Sequence, residues 1–130
     1  MAFEQPCLKV TFAAAGDLST KQFYIMKLDS NGRVTVCTGT TDIPIGVLQN
    51  KPSALGEAAD VMISGVTKIS SDEALACGNS LATSADGQAQ VLVIGTETTV
   101  YSIGQCIGAS AAAAGLATAV IECAKPSRAA

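Results

Sequence analysis

Two short turn segments, "DSNG" at residues 29–32 and "ADG" at residues 85–87, constrain this chain more than any other feature. The first lies inside "FYIMKLDSNGRVTVCT", residues 23–38, where β-prone runs flank an Asn-Gly pair. Asn31 and Gly32 can supply the positive φ angles of a tight hairpin, and Val34 and Val36 alternate with Arg33 and Thr35. The pattern predicts strands over 22–28 and 33–38. The second turn lies inside "SLATSADGQAQVLVI", residues 80–94, and predicts a second hairpin around Asp86 and Gly87. The landmarks of the two regions keep step. Gly32 and Gly87 lie 55 residues apart, Gly39-Thr40 and Gly95-Thr96 56, Ile45-Gly46 and Ile103-Gly104 58, and Gly56 and Gly115 59. A slowly growing offset is what duplication followed by short loop insertions produces.

The duplication bears on the blandest part of the chain. "GASAAAAGLATAV", residues 108–120, reads as helix on propensity alone. Its place in the first copy is taken by "NKPSALG", residues 50–56. Pro52 there fits neither a helix interior nor a central strand. The Ala-rich segment is therefore expected to be a loop or single turn between strands. "SSDEALACGNSLATS" holds the one short-helix candidate, with Ser71 as cap, Asp72 and Glu73 in the first turn and Gly78 as stop; a loop with one helical turn fits it equally well. "CLKVTFA" reads as an N-terminal strand. Hairpins at short, regular spacing predict an all-β class: a small single-domain β-sandwich or partly open β-barrel of about eight strands, with an internal two-fold repeat and at most one short helix. Residues 1–130 are expected to form this one domain, with short flexible tails at 1–6 and 124–130.

Composition narrows the chemistry. The chain has no histidine, which removes the commonest general base and the usual zinc ligand. Without it the Ser–His and Cys–His pairs of nucleophilic catalysis cannot form. Asp72-Glu73 is the only adjacent carboxylate pair, and a solvated helix start explains it. No glycine run has phosphate-loop spacing. The expectation is no enzyme, no cofactor and no metal. A net charge of −3 with no basic patch argues against nucleic acid. The stretch from Ile103 to Cys123 is built of Ala, Gly, Ser and Thr, too weakly apolar for a membrane span. Five cysteines at 7, 37, 77, 106 and 123 form no CxxC pair, and the first ten residues lack a signal-peptide pattern. Buried free thiols in a cytosolic chain are expected. A lipoyl- or biotinyl-type carrier domain needs a lysine on a hairpin tip; Lys27 lies two residues short of the first tip, and the second has none. A sugar- or surface-binding β module is the alternative class, but there is no Trp, and Tyr24 and Tyr101 are the only tyrosines.

The order of these features resembles the capsid decoration, or capsid cement, proteins of tailed bacteriophages. The likeness runs through "GDLSTKQFYIMKLDSNGRVTVCT", "DIPIGVLQNKPSALGEAADVMISGVTKI", "CGNSLATSADGQAQ" and "YSIGQCIGASAAAAGLATAVIEC", about residues 8–123. It implies a structural virion protein, without catalysis, on the outer surface of the assembled head. It further implies the major capsid protein as partner, a homotrimer at local symmetry axes, and a stay in the host cytoplasm during assembly. The five cysteines depart from the family's commonest pattern. On that reading Ala2, Phe3, Glu4, Gln5 and Pro6 form a capsid-contact arm, with Phe3 as anchor, that adds to an exposed strand. A tail with no role fits the same residues.

Overall fold

The computed structural model describes residues 5–93, 95–96, 98–124 and 127–128, with side chains from Leu8 onward except Arg128. These residues form eleven strands and no helix. They are β1 (Gln5–Ala13), β2 (Ile25–Leu28), β3 (Val34–Val36), β4 (Gly46–Leu48), β5 (Ala58–Ser70) and β6 (Ser80–Thr83). β7 (Ala89–Val91), β8 (Tyr101–Ser102), β9 (Gly104–Gly108), β10 (Leu116–Glu122) and β11 (Ser127–Arg128) follow. One sheet runs β3-β2-β4-β5-β10-β9-β6-β7, with β1 added to β5; β8 and β11 form a separate antiparallel pair. The sheet curls into an open half-barrel, as the all-β expectation requires.

Both predicted hairpins form, but with a different turn. Asp29 N–H donates to Arg33 O, enclosing a three-residue loop. Gly32 alone adopts positive φ, at 76°; Asn31 does not. The Asp29 carboxylate braces the loop, accepting the N–H groups of Asn31 and Arg33 at 2.9 Å each. The second loop repeats this geometry. Ser84 N–H donates to Gln88 O, Gly87 sits at φ 78°, and the Ser84 hydroxyl accepts from Asp86 N–H at 3.1 Å. A left-handed glycine closing a three-residue loop is a common hairpin connection.

The duplication extends far beyond the hairpins. Ile45 N–H donates to Met26 O, and Ile103 N–H to Leu81 O. Phe23 N–H donates to Leu48 O, and Gly78 N–H to Cys106 O. Leu18 N–H donates to Pro52 O, and Leu75 N–H to Ser110 O. Gly56 N–H donates to Ala14 O, and Ala114 N–H to Ser71 O. The first unit thus comprises β1 to β4 and the start of β5; the second comprises the end of β5, then β6, β7, β9 and β10. Strand β5 serves both, pairing with β1 and β4 at its start and with β10 over Ser64–Ser70. One sequence alignment needs correction. The structural match of Gly56 (φ 85°) is Ala114 (φ 62°), not Gly115.

The two units stack so that one face of the first fills the other. Residues directly opposite in a sheet share a face. Ile25, Val47 and Met62 form one such row, fully buried in a cluster with Leu81, Ile103, Cys106, Ala117, Ala119 and Ile121 of the second unit. The matching row of the second unit, Ser80, Gln105 and Val120, faces outwards. The insertion explains a difference in side-chain size. The first unit's own core holds Met26, Val34, Leu48 and Val61; the equivalent positions of the second hold Leu81, Ala89, Cys106 and Ala119. The smaller side chains leave room for the inserted row, and burying each of its members is worth roughly 1.5–3 kcal/mol.

The short-helix candidate at 71–78 is not helical. Its backbone donors point to β7 and to the Ala-rich loop: Asp72 N–H to Ala89 O, Ser71 N–H to Gly115 O, Leu75 N–H to Ser110 O. The Glu73 carboxylate, expected at a helix start, instead accepts Val91 N–H at 2.8 Å. The Ala-rich segment is a loop, as expected, tied down by the buried Ser71 hydroxyl, which reaches Ser110 Oγ at 2.9 Å and donates to Ala112 O at 3.0 Å. Replacing Ala112 by Pro should therefore cost under about 1 kcal/mol in a urea titration, against ~3 kcal/mol for a helix interior. A loss above 2 kcal/mol, roughly what a lost internal hydrogen bond and strain would cost together, would mean the loop is more constrained than its hydrogen bonds indicate.

Candidate functional site

Among the described residues the carboxylates are spread out, and several have a local duty. Asp29, Asp42, Glu57 and Glu73 all accept backbone N–H groups of their own loops or of neighbouring strands. Among the described residues no three of Cys, Asp and Glu come close enough to hold a metal ion.

The thiols are of two kinds. Cys37, Cys106 and Cys123 are buried and Cys77 is exposed, and all four are free. Burial pushes the Cys37 thiol up to about 12, helped by the nearby Asp42 charge. Burial does the same to Cys123, also to about 12, and raises Cys106. Such thiols are protonated and poor nucleophiles at neutral pH. Cys77 is turned onto the protein, its Sγ 3.3 Å from Ile107 O. The side chain of Cys7 lies outside the described residues.

One ion pair distinguishes the two units. Lys27 Nζ stands 2.9 Å from Asp42 Oδ2, and the same carboxylate oxygen accepts Thr38 and Gly39 N–H. The matching positions in the second unit are Ala82 and Val100, which pack with Leu92 as a small apolar cluster. Partial burial acts to raise the Asp42 carboxyl, but the bonds from Lys27, Thr38 and Gly39 outweigh it and hold the group below its usual 3.8. A depressed folded value contributes stability above about pH 3.8 that is lost as pH falls through the folded value. Urea midpoints taken from pH 6 to pH 2 should thus fall less steeply in Asp42→Asn than in the parent chain; parallel curves would show that the pair contributes nothing.

What the surface offers is contact area. A cleft of about 330 Å³ is lined by Leu28, Ile43, Pro44, Ile45, Cys123 and Ala124. The loop tips around Leu55 and Ala111–Ala114 are exposed, and they occupy matching places in the two units. Of the expected contact arm, Ala2, Phe3 and Glu4 lie outside the described residues. Gln5 and Pro6 belong to β1, opposite Val66 and Gly65, so the sheet begins within the segment expected to be a flexible tail. The same holds at the other end. Within the expected tail 124–130, Ser127 pairs with Ser102 and Arg128 with Tyr101.

The chain matches no protein-family profile and no curated protein. Among solved structures it is similar to the N base of the head fiber gp8.5 of bacteriophage phi29. The two share 17% sequence identity and superpose with a TM-score of 0.62, over 88% of this chain and 95% of the other. At that identity the likeness establishes a shared fold.

Proposed function

We propose that this chain is a non-catalytic structural protein of a bacteriophage virion, carried on the outer surface of the head and bound to the major capsid protein. The observation that carries the reading is the near end-to-end fold match to a phage head fiber base. A partial match would point only to a common β motif; this one takes in both units. The sequence resemblance to decoration proteins, drawn from different features, leads to the same class. A homotrimer on the head, and a stay in the host cytoplasm before docking, belong to this reading as the resemblance implies them. Avidity supports it physically: repeated modest contacts across a lattice give tight decoration without a deep pocket.

The test uses heads of the phage that encodes this chain, prepared without its gene. Purified protein added to such heads should saturate at a fixed number of copies per head, counted by electron microscopy, and should raise the temperature at which heads rupture. Heads that take up no protein at any concentration would refute the proposal. A sugar-binding module is the weaker reading. Tyr24 is half-buried beneath the Lys21 ammonium, 4.8 Å from its ring centroid, and offers no open platform.

A further inference from the structure

The chain has three asparagines, Asn31, Asn50 and Asn79, and the fold holds only two of their side chains. Asn50 is tied at both ends of its amide: Oδ1 accepts Asp60 N–H at 3.0 Å, and Nδ2 donates to Ala58 O at 2.9 Å. Asn79 Oδ1 accepts Ala76 N–H at 2.8 Å. The side chain of Asn31 has no hydrogen-bond partner among the described residues; only its backbone N–H is engaged, by the Asp29 carboxylate. Asn31 and Gly32 are both exposed, and nothing lies within 4 Å of where a Cβ on Gly32 would stand. Lys51 and Ser80 follow the other two asparagines, and each sets a side chain beside the peptide nitrogen that Gly32 leaves bare.

The Gly32 nitrogen is loosely tied as well. Its N–H donates to Asp29 O at 3.2 Å, the long limit for such a bond. The second unit supplies the contrast, because its hairpin closes with the same geometry around Asp86 and Gly87. There the glycine is buried. A Cβ on Gly87 would fall onto Val36 Cγ1, with Cys37 O at 3.0 Å, and the Gly87 carbonyl accepts Ile25 N–H at 2.7 Å. The first unit thus clamps the tip of the second hairpin. The tip of the first hairpin, Ser30 to Gly32, is exposed.

From this free and clamped pair we propose that Asn31 is a site of spontaneous backbone modification in the folded protein. Rotation about the bond between Asn31 Cα and its carbonyl carbon brings the Gly32 nitrogen to Asn31 Cγ. The nitrogen gives up its proton and forms a new bond to Cγ. The Cγ–Nδ2 bond breaks, ammonia leaves, and a cyclic imide closes. Water then opens the ring at either carbonyl. One opening gives aspartate in an ordinary peptide; the other leaves the chain running through Cβ. For each ammonia lost a water enters, and either product carries a new carboxylate at residue 31. That charge stands beside the Asp29 carboxylate, which already braces the loop. The Cβ-linked product also adds a backbone atom to the short loop closed by Asp29 N–H and Arg33 O. The proposal goes beyond the virion reading and does not depend on it.

The test ages the full chain at mildly alkaline pH, folded in buffer and unfolded in guanidinium chloride, and maps both samples by peptide mass spectrometry. Converted peptides are about 1 Da heavier, and electron-transfer fragmentation tells the Cβ-linked form from aspartate. Denaturant frees all three asparagines, so the ratio of unfolded to folded rates measures how far the fold protects each one. Folding should slow Asn31 by less than about tenfold, since a single long hydrogen bond is all that restrains the attacking nitrogen. Asn50 and Asn79 should be slowed by more than that. Asp86, which can close the same imide by losing water, should isomerise only in denaturant. Asn31→Gln, which would need a larger and slower-forming ring, should keep the circular dichroism spectrum and lose the acidic species that accumulates in the parent on anion exchange. Slowing of Asn31 beyond that limit, slowing equal to that of Asn50 and Asn79, isomerised Asp86 in the folded chain, or an undiminished acidic species in Asn31→Gln would each overturn the proposal.

Discussion

Replacing Gly104 by Ala should destabilise the protein by about 3 kcal/mol or more, the upper end of what overpacking costs, and Gly46→Ala should do much the same. The two glycines occupy matching places at the starts of β9 and β4. A Cβ on Gly104 would fall onto Val120 O, with Ile121 Cα 3.0 Å away. A Cβ on Gly46 would fall onto Met62 O, with Val61 Cγ1 at 2.6 Å. Met62 and Val120 are themselves a matched pair, so the duplication has preserved one close backbone crossing twice. The obstacle is backbone in the sheet centre, which cannot rotate away as a side chain would. Gly56→Ala is the control. It has nothing within 4 Å of its Cβ but sits at φ 85°, so it should lose only the ~1–2 kcal/mol of a left-handed alanine. Urea unfolding of the three variants separates the two effects. A Gly104→Ala variant no less stable than Gly56→Ala would mean that the crossing is looser than described.

How much of this was legible in the sequence depends on which residues carried the signal. The hairpins were legible because a glycine that must adopt positive φ leaves few alternatives, and Gly32 and Gly87 both do. The Ala-rich loop was legible only through its match to the segment holding Pro52, since propensity alone favours a helix there. The segment at 71–78 misled because a Ser cap with acidic residues behind it is a local signature. What holds that segment is non-local: carbonyls of Ala89 in β7 and of Ser110 and Gly115 in the Ala-rich loop. Strand β5 as the shared member of both units was not foreseen, because its first half matches β10 and its second half matches β1, and neither half is distinctive. The candidate surface was the least legible part. The arm was placed at residues 2–6 on composition, whereas the sheet already includes Gln5 and Pro6.

The stacking of the two units makes the last prediction, in which matched positions should respond oppositely. Val47 and Gln105 occupy the same place in the two units, each in the middle strand of its three-residue row. Val47 is fully buried between Ile25 and Met62; Gln105 is exposed between Ser80 and Val120. Exchanging the side chains tests whether the interface, and not the strand, determines the residue. Val47→Gln buries an amide among apolar neighbours and should cost about 3 kcal/mol or more. Gln105→Val leaves an apolar side chain in solvent and removes only the long 3.4 Å bond from Gln105 Nε2 to Gly78 O. That change should stay within about 0.5 kcal/mol of the parent, since surface substitutions usually do. If the units merely lay side by side, both faces of both would be half-open and the two substitutions would cost similar amounts. Equal losses in urea unfolding would therefore refute the insertion of the first unit's row into the second unit's core. A large loss at residue 47 alone would explain why two units of matching backbone carry such different side chains: one presents its row to a protein core, the other to water.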